Sequence, residues 1–281
     1  MIQWFIIIGI NMPELPEVEV VRNVLDNSLK NLTITNIDCF YTPIIEDDIN
    51  DFKKMVVGQK IVEVKRYAKY LIFILDNGAI ISHLRMEGKY YYLPKEKDNF
   101  KHVHVVFYFD NDYKLMYADV RKFGRIQYKS REALFNSLPL SKVGIEANNP
   151  NYDANLIIKK INNKKLPIKT VLLDQTIIAG LGNIYVDEVL FKSHINPLRI
   201  ANTITIDELK LIMTSSQEIL NKAIENKGTT IRSYTSSLGV SGNYQNFLCV
   251  HTKKICPSCN SNLEKIKIGG RTSYFCKNCQ R

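Results

Sequence analysis

The sequence predicts an α+β protein: one helix leads into a β-rich half, and a helical half and a short metal-binding hairpin follow. Three observations carry this. Runs with strand-like alternation fill the chain from Leu32 to about Tyr128, helical periodicity takes over from Ala154 to about Asn226, and two C-x-x-C pairs close the sequence.

The first helix is expected from Pro16 to about Leu29. Val18, Val21, Val24, Leu25 and Leu29 share one face, Pro16 suits a first turn, and Glu17 and Glu19 complement the positive end of the helix dipole. The strand-like runs are "LTITNIDCF", "KIVEVKRY", "YLIFIL", "AIISHLRM", "HVHVVFYF" and "YKLMYADV", separated by turn signals such as Asp76-Asn77-Gly78. Antiparallel strands at this density predict a sandwich or barrel-like domain. "SKVGIEANNPNY", Ser141 to Tyr152, reads as a linker. Helices are expected over Ala154–Asn162, Pro167–Gln175, Asn183–Ser193 and Ile206 to about Asn226; between the second and third, the glycines of "TIIAGLGN" permit a tight non-helical backbone.

Charge narrows the function. There are 38 Lys and Arg against 28 Asp and Glu, a net charge of +10, which attracts polyanions. No segment approaches the ~20 apolar residues of a membrane span. The leading "WFIIIGI" lacks the basic flank of a secretory signal, the first basic residue being Arg22. A cytoplasmic, nucleoid-associated protein is therefore expected, in which thiols stay reduced and clustered cysteines indicate metal rather than disulfides.

Cys256-Pro-Ser-Cys259 and Cys276-Lys-Asn-Cys279 present four thiolates around a hairpin, the donor set of one structural Zn2+ with no open coordination position. Cys39 and Cys249 have no such partners and are expected to pack as small apolar groups. At the hairpin tip, Lys265 and Lys267 are expected to be solvated. Arg271, behind Gly269-Gly270, is placed to take a phosphate in bidentate fashion.

The blocks "PELPEVE", "AKYL", "SHLRMEGKY", "DVRKFGRI", "LLDQTIIAGLGNIYVDEVLF", "GTTIRSY" and the terminal "GGRTSYFCKNCQ" resemble, in order and from Met12 to Arg281, the formamidopyrimidine-DNA glycosylase family. The resemblance implies an N-terminal β-sandwich, a helix–two-turn–helix module and a zinc finger. On this chain it divides into an extension (1–11), a catalytic domain (12–140), a linker (141–152), the helical module (153–227), a lesion-recognition loop with its connector (228–248) and the zinc finger (249–281). It further implies a monomer acting on duplex DNA that carries oxidised purines, chiefly 8-oxoguanine and formamidopyrimidines. The base is flipped out and released, and the strand is cut by β,δ-elimination.

Site residues follow from the same resemblance. Pro13 is the N-terminal nucleophile, whose α-amine is far less basic than a lysine. Glu14 is the general acid/base and Glu17 its support, although a first-turn helix charge explains Glu17 equally well. Lys69, Asn183 and Arg271 grip phosphate around the lesion; as the residue opening a helix, Asn183 also has an N-cap reading, and a helix N-terminus favours an anion. Met86, Arg121 and Phe123 fill the void left by the flipped base, with Arg121 reading the orphaned cytosine. The segment "GTTIRSYTSSLG" suits a lid, with Thr229, Thr230, Ile231, Arg232 and Tyr234, and also Glu87, as lesion contacts. His102 and Lys165 join the DNA-binding set; His102 and His104 are expected on one strand face, a structural arrangement without a third ligand.

Two other readings stay open. An endonuclease VIII-like enzyme for oxidised pyrimidines shares the architecture, but that branch typically has glycine where this chain has Leu15. A non-catalytic DNA-binding protein is the alternative if residues 1–11 are retained, because they place the Pro13 nitrogen in an amide. The expectation here is that Met12 is the working start.

Overall fold

The computed structural model describes residues 13–98, 100–229 and 242–281. Helix α1 (Leu15–Leu29) enters the β-rich half, where β1 (Ile34–Cys39), α2 (Ile49–Val56) and β2 (Ile61–Tyr67) follow. Then come β3 (Tyr70–Leu75), β4 (Gly78–His83), β5 (Lys89–Pro94), β6 (Val103–Phe109), β7 (Tyr113–Ala118), β8 (Arg125–Lys129) and the short helix α3 (Ala133–Asn136). These strands form two four-stranded antiparallel sheets, ordered β1-β6-β7-β5 and β2-β3-β4-β8. Ile37, Phe107 and Leu115 of one sheet share a core with Val64, Phe73 and Ile80 of the other, the expected sandwich.

Helix α1 joins two cores. Its Val18, Val21, Leu25 and Leu29 pack into the sandwich, whereas Leu15, fully buried, belongs to the core of the helical half. That half consists of β9 (Ile145–Glu146), α4 (Ala154–Asn162), α5 (Ile168–Leu172), β10 (Ile178–Ala179), α6 (Asn183–Lys192) and α7 (Ile206–Glu225). Side chains cap two of these helices: Asp153 accepts from the amides of Asn155 and Leu156, and Thr205 from that of Glu208.

Several expectations change. Strands β5 and β8 were not among the strand-like runs. The stretch read as all strand contains α2, capped by Asp48, which accepts from the amides of Asn50 and Asp51. The linker is not structureless, since its β9 pairs in parallel with β10. The second helix stops at Leu172 because Leu173 to Thr176 turn around Asp174 and Gln175. His102 and His104 do not share a strand face. His102 lies exposed in the turn before β6 with φ +65°, and His104 is buried with Nε2 2.7 Å from the Asp119 carbonyl oxygen.

The terminal hairpin pairs β11 (Glu264–Ile268) with β12 (Arg271–Phe275) through Gly269-Gly270, both at positive φ (+55° and +77°), as a two-residue turn of this hand requires. It is fixed to the helical half by buried charge. The Lys169 ammonium, on α5, donates to Asp187 Oδ1 at 2.7 Å, Ser273 Oγ at 2.7 Å and the Thr272 carbonyl at 3.2 Å. Asp187 Oδ2 faces His251 Nδ1 at 2.8 Å and accepts from the Tyr274 amide at 3.2 Å. No helix among the described residues is long and apolar enough to cross a membrane.

Leu25→Ala is expected to lower unfolding free energy by about 2–5 kcal/mol, because a fully buried leucine leaves a cavity between α1 and the sandwich. Urea denaturation followed by circular dichroism checks this; a loss no larger than that of an exposed helix position contradicts it.

Candidate active site

The start of α1 is pressed against the start of α6. Leu15 donates its amide to the Gly180 carbonyl at 3.1 Å. The Glu14 carboxylate, 2% exposed, accepts from the amides of Gly182 (2.6 Å), Ile184 (2.8 Å) and Tyr185 (3.3 Å). The amides that open α6, read from the sequence as a phosphate seat, are thus occupied by this carboxylate. A side chain at 182 would be excluded, since a Cβ there would lie 2.3 Å from Glu14 Cδ. Gly180 is required twice over, with φ +103° and a would-be Cβ 2.5 Å from Leu15 Cδ1.

Glu17 forms the second buried acid. Its Oε2 accepts from the Glu14 amide at 3.0 Å, and its Oε1 accepts from the Tyr185 hydroxyl (2.7 Å) and from the amide and hydroxyl of Thr229 (2.8 and 3.0 Å). This is more than a first-turn helix charge: the carboxylate ties the residues around Pro13 to α6 and to Thr229. Thr230, Ile231, Arg232 and Tyr234 lie outside the described residues, as do residues 1–11.

Lys69 sits at the tip of the β2–β3 hairpin, in a two-residue turn where Ala68 adopts φ +52°. Glu146 supports that strained turn by accepting from the Ala68 amide at 2.7 Å and pairing with Arg66. Arg66 also donates to the Ala68 carbonyl at 3.0 Å and pairs with Glu19 at 2.7 Å. The Lys69 ammonium, 3% exposed, donates to the Leu181 carbonyl at 2.7 Å. Gln175 donates to the same carbonyl at 2.9 Å and accepts from the Gly180 amide at 3.0 Å.

Glu14, Lys69, Met86, Gln175, Asn183 and Arg271 line one cleft of about 260 Å³. Arg271 is exposed at its rim, Met86 is half-buried, and Pro13 is buried immediately before Glu14. Asn183 donates its side-chain amide to the Thr272 carbonyl at 2.9 Å, joining α6 to the hairpin beside Arg271; its Oδ1 is buried without a hydrogen-bond partner. Met86 stands in the turn between β4 and β5, where the Arg85 amide donates to His83 Nδ1 at 2.9 Å and Glu87 is half-buried. Arg121 and Phe123 are exposed on a separate loop between β7 and β8, with the guanidinium 4.7 Å from the phenyl centroid. Lys165 is exposed between α4 and α5.

Burial dominates the electrostatics. It pushes the Glu14 carboxyl above its ordinary value; Lys69 opposes this, Glu17 adds to it, and the amides of Ile184 and Gly182 oppose it. Burial pushes Lys69 down to about 8, with Glu14 opposing and Arg271 adding to the shift. His83 is pushed down to about 3, first by burial and then by Arg85 and Lys69, so its ring is neutral and Nδ1 is free to accept from Arg85.

The four cysteine Sγ atoms lie within 4.8 Å of one another, with Cys256 to Cys279 at 3.8 Å and Cys259 to Cys276 at 3.5 Å. Tetrahedral thiolates about 2.3 Å from one ion stand about 3.8 Å apart. The cluster therefore fits one metal ion, and its four sulfurs leave no position for substrate.

The model of the formamidopyrimidine-DNA glycosylase N-terminal domain matches residues 12–126, and that of the formamidopyrimidine-DNA glycosylase H2TH domain matches residues 143–235. The chain belongs to the formamidopyrimidine-DNA glycosylase family. It is 41% identical to a Lactobacillus delbrueckii subsp. bulgaricus protein of that name over 272 residues, covering 96% of this chain and 100% of the relative. A Streptococcus pneumoniae formamidopyrimidine-DNA glycosylase is likewise 41% identical, at 96% and 99% coverage. Among solved structures, a Lactococcus lactis Fpg variant in complex with DNA containing Fapy-dG superposes with a TM-score of 0.90 at 39% identity, covering 96% of this chain and 100% of that one.

Several residues that organise this glycosylase-family site were not singled out by sequence reasoning. Tyr185, Gln175 and the Arg66–Glu146 pair act through contacts between distant segments, and "LLDQTIIAGLGNIYVDEVLF" hinted only at the first two. Because the folded-state value of Lys69 lies below that of a free lysine, the unfolded chain holds more protons between pH 8 and 10.5. Stability contributed by this residue therefore rises with pH across that window and is flat below it. Carbon-detected NMR of labelled lysines is expected to show Lys69 titrating near 8 in the DNA-free protein; a midpoint near the free-lysine value contradicts the assignment.

Proposed function

We propose that this protein is a bifunctional DNA glycosylase of base excision repair. It releases oxidised purines, 8-oxoguanine and formamidopyrimidines, from duplex DNA and then cuts the strand. The observation that carries this reading is the buried Glu14 carboxyl, next to Pro13, in a cleft also lined by Lys69, Asn183 and Arg271.

In the proposed reaction the free amine of Pro13 attacks C1′ of the flipped nucleotide. The bond from C1′ to the base breaks, and the ring opens to an iminium on the proline nitrogen. Glu14, held by three amides and raised by burial, supplies a proton to the sugar oxygen. The positive iminium acidifies C2′; loss of that proton expels the 3′ phosphate, and a second elimination expels the 5′ phosphate. Lys69, Arg271 and the Asn183 side chain hold the phosphates beside the lesion. Met86, Arg121 and Phe123 fill the vacated stack, and Thr229, fixed by Glu17, begins the loop that covers the flipped base. His102 and Lys165 add outer backbone contacts. We assign the four-cysteine cluster to structural Zn2+, which holds the hairpin carrying Arg271 and takes no part in the chemistry. The chain acts as a monomer in the nucleoid-containing cytoplasm, organised as catalytic domain 12–140, linker 141–152, helical module 153–227, recognition loop and connector 228–248, and zinc finger 249–281.

The nucleophile requires that the working chain begin at Pro13, after a start at Met12, where the family match also begins. A chain that keeps residues 1–11 has an amide nitrogen at Pro13, which cannot form an iminium; such a chain binds damaged DNA without cutting it.

Duplexes carrying 8-oxoguanine opposite cytosine are expected to be nicked by the Pro13-started protein, and thymine glycol duplexes far more slowly. The reverse preference would favour the oxidised-pyrimidine reading. Glu14→Gln is expected to slow base release on the order of 10²-fold or more; a near-normal rate removes Glu14 from the chemistry. Binding should weaken linearly on a log–log plot against salt, and Arg271→Ala should reduce the steepness by about one counterion. An unchanged slope means that Arg271 touches no phosphate.

A further inference from the structure

The loop that presents Arg121 and Phe123 is built around one buried carboxylate. Asp119, 1% exposed, follows β7 and turns its side chain back into the loop. Its Oδ1 accepts from the Arg121 amide at 3.0 Å. Its Oδ2 accepts from the amides of Phe123 (2.9 Å) and Gly124 (2.8 Å), with the Tyr117 hydroxyl at 3.4 Å. The carbonyl side of the loop is gathered by a cation: Arg125 Nη1 donates to the carbonyls of Gly124 (2.7 Å), Phe123 (3.2 Å) and Lys122 (3.4 Å).

The main chain is constrained further. Asp119 donates its amide to the His102 carbonyl at 3.0 Å and its carbonyl oxygen lies 2.7 Å from His104 Nε2. Lys122 takes φ +59°, with its ammonium 4.4 Å from the centre of the Tyr41 ring. A Cβ at Gly124 would meet the Tyr117 hydroxyl oxygen at 1.6 Å, so only glycine lets the chain pass so close to the carboxylate. The amides of residues 121, 123 and 124 and the carbonyls of residues 122, 123 and 124 are thus held by Asp119 and Arg125. The side chains of Arg121 and Phe123 are both exposed and stacked on each other.

We infer that Asp119, braced by Arg125, is a positioning residue that presets Arg121 and Phe123 as a rigid wedge and thereby sets the enzyme's choice of the base opposite the lesion. This rests on the proposed glycosylase function and on Arg121 reading the orphaned base. A preset wedge avoids ordering the loop when it enters the stack. A guanidinium fixed in orientation can also favour the hydrogen-bonding edge of cytosine over that of adenine. Neither residue touches the cleft around Glu14, so chemistry on DNA without an opposite strand does not depend on them.

Asp119→Asn is the direct test. It keeps the size of the side chain but turns an N–H2 toward amide N–H groups, leaving at least one of them without an acceptor. The variant is expected to lose the preference for 8-oxoguanine opposite cytosine over adenine by roughly tenfold. Its lyase rate on a single-stranded abasic oligonucleotide should stay at that of the unmodified protein. Arg125→Met, at a half-exposed position, should shift the preference in the same direction by less, and it decides the matter alone if Asp119→Asn does not fold. A folded Asp119→Asn protein that keeps its opposite-base preference overturns the inference, as does an equal loss on single-stranded substrate. A Pro13-started protein without the substitution that cuts both duplexes equally well overturns it while leaving the glycosylase reading standing; one that cuts neither duplex removes both.

Discussion

Everything at this site depends on the Glu14 carboxylate being buried on the first amides of α6. That contact crosses from the sandwich half to the helical half, and it accounts for residues far apart in sequence. Gly182 has no room for a side chain because Glu14 is against it, and Gly180 yields space to Leu15. Leu15 is in the helical core while the rest of the α1 apolar face is in the sandwich. The N-terminal residues are thus a structural bridge between the two halves. The ionised form of an acid at this position is favoured by the helix end, while burial pushes its proton affinity upward.

The surrounding charges form one coupled set. Glu17 sits close enough to raise Glu14, Lys69 close enough to lower it, and Arg271 pushes on Lys69 from the rim. An anion entering beside Lys69 would favour its charged form. The hairpin that carries Arg271 is held to the helical half by a second buried cluster, Lys169 with Asp187 and His251.

The sequence was readable where a pattern is local. The face of α1 and the paired cysteines follow from spacing alone, and the structure places them as expected except for Val24, which is only half-buried and lies outside the sandwich core. Helix α2 was missed because only Phe52 and Val56 are buried within it, too few to outweigh the strand-like surroundings; its start was nonetheless signalled by Asp48. The parallel pairing inside the linker rests on two residues from each partner, which leave no periodic trace. The occupant of the α6 N-terminus could not be read either. An asparagine after glycines signals a helix start, but only the fold shows that an acid from the other half already fills it. His102 was misplaced because alternation says nothing of a left-handed turn that interrupts it.

The central claim is that the nitrogen of Pro13, freed as an N-terminus and flanked by Glu14, is the group that bonds to the sugar. Borohydride reduction during turnover on 8-oxoguanine duplex, followed by proteolysis and mass spectrometry, locates that bond. The account predicts the sugar remnant on the α-nitrogen of the peptide beginning Pro13-Glu14. Attachment to Lys69 or any other lysine, or no adduct from a chain that begins at Pro13, would contradict it.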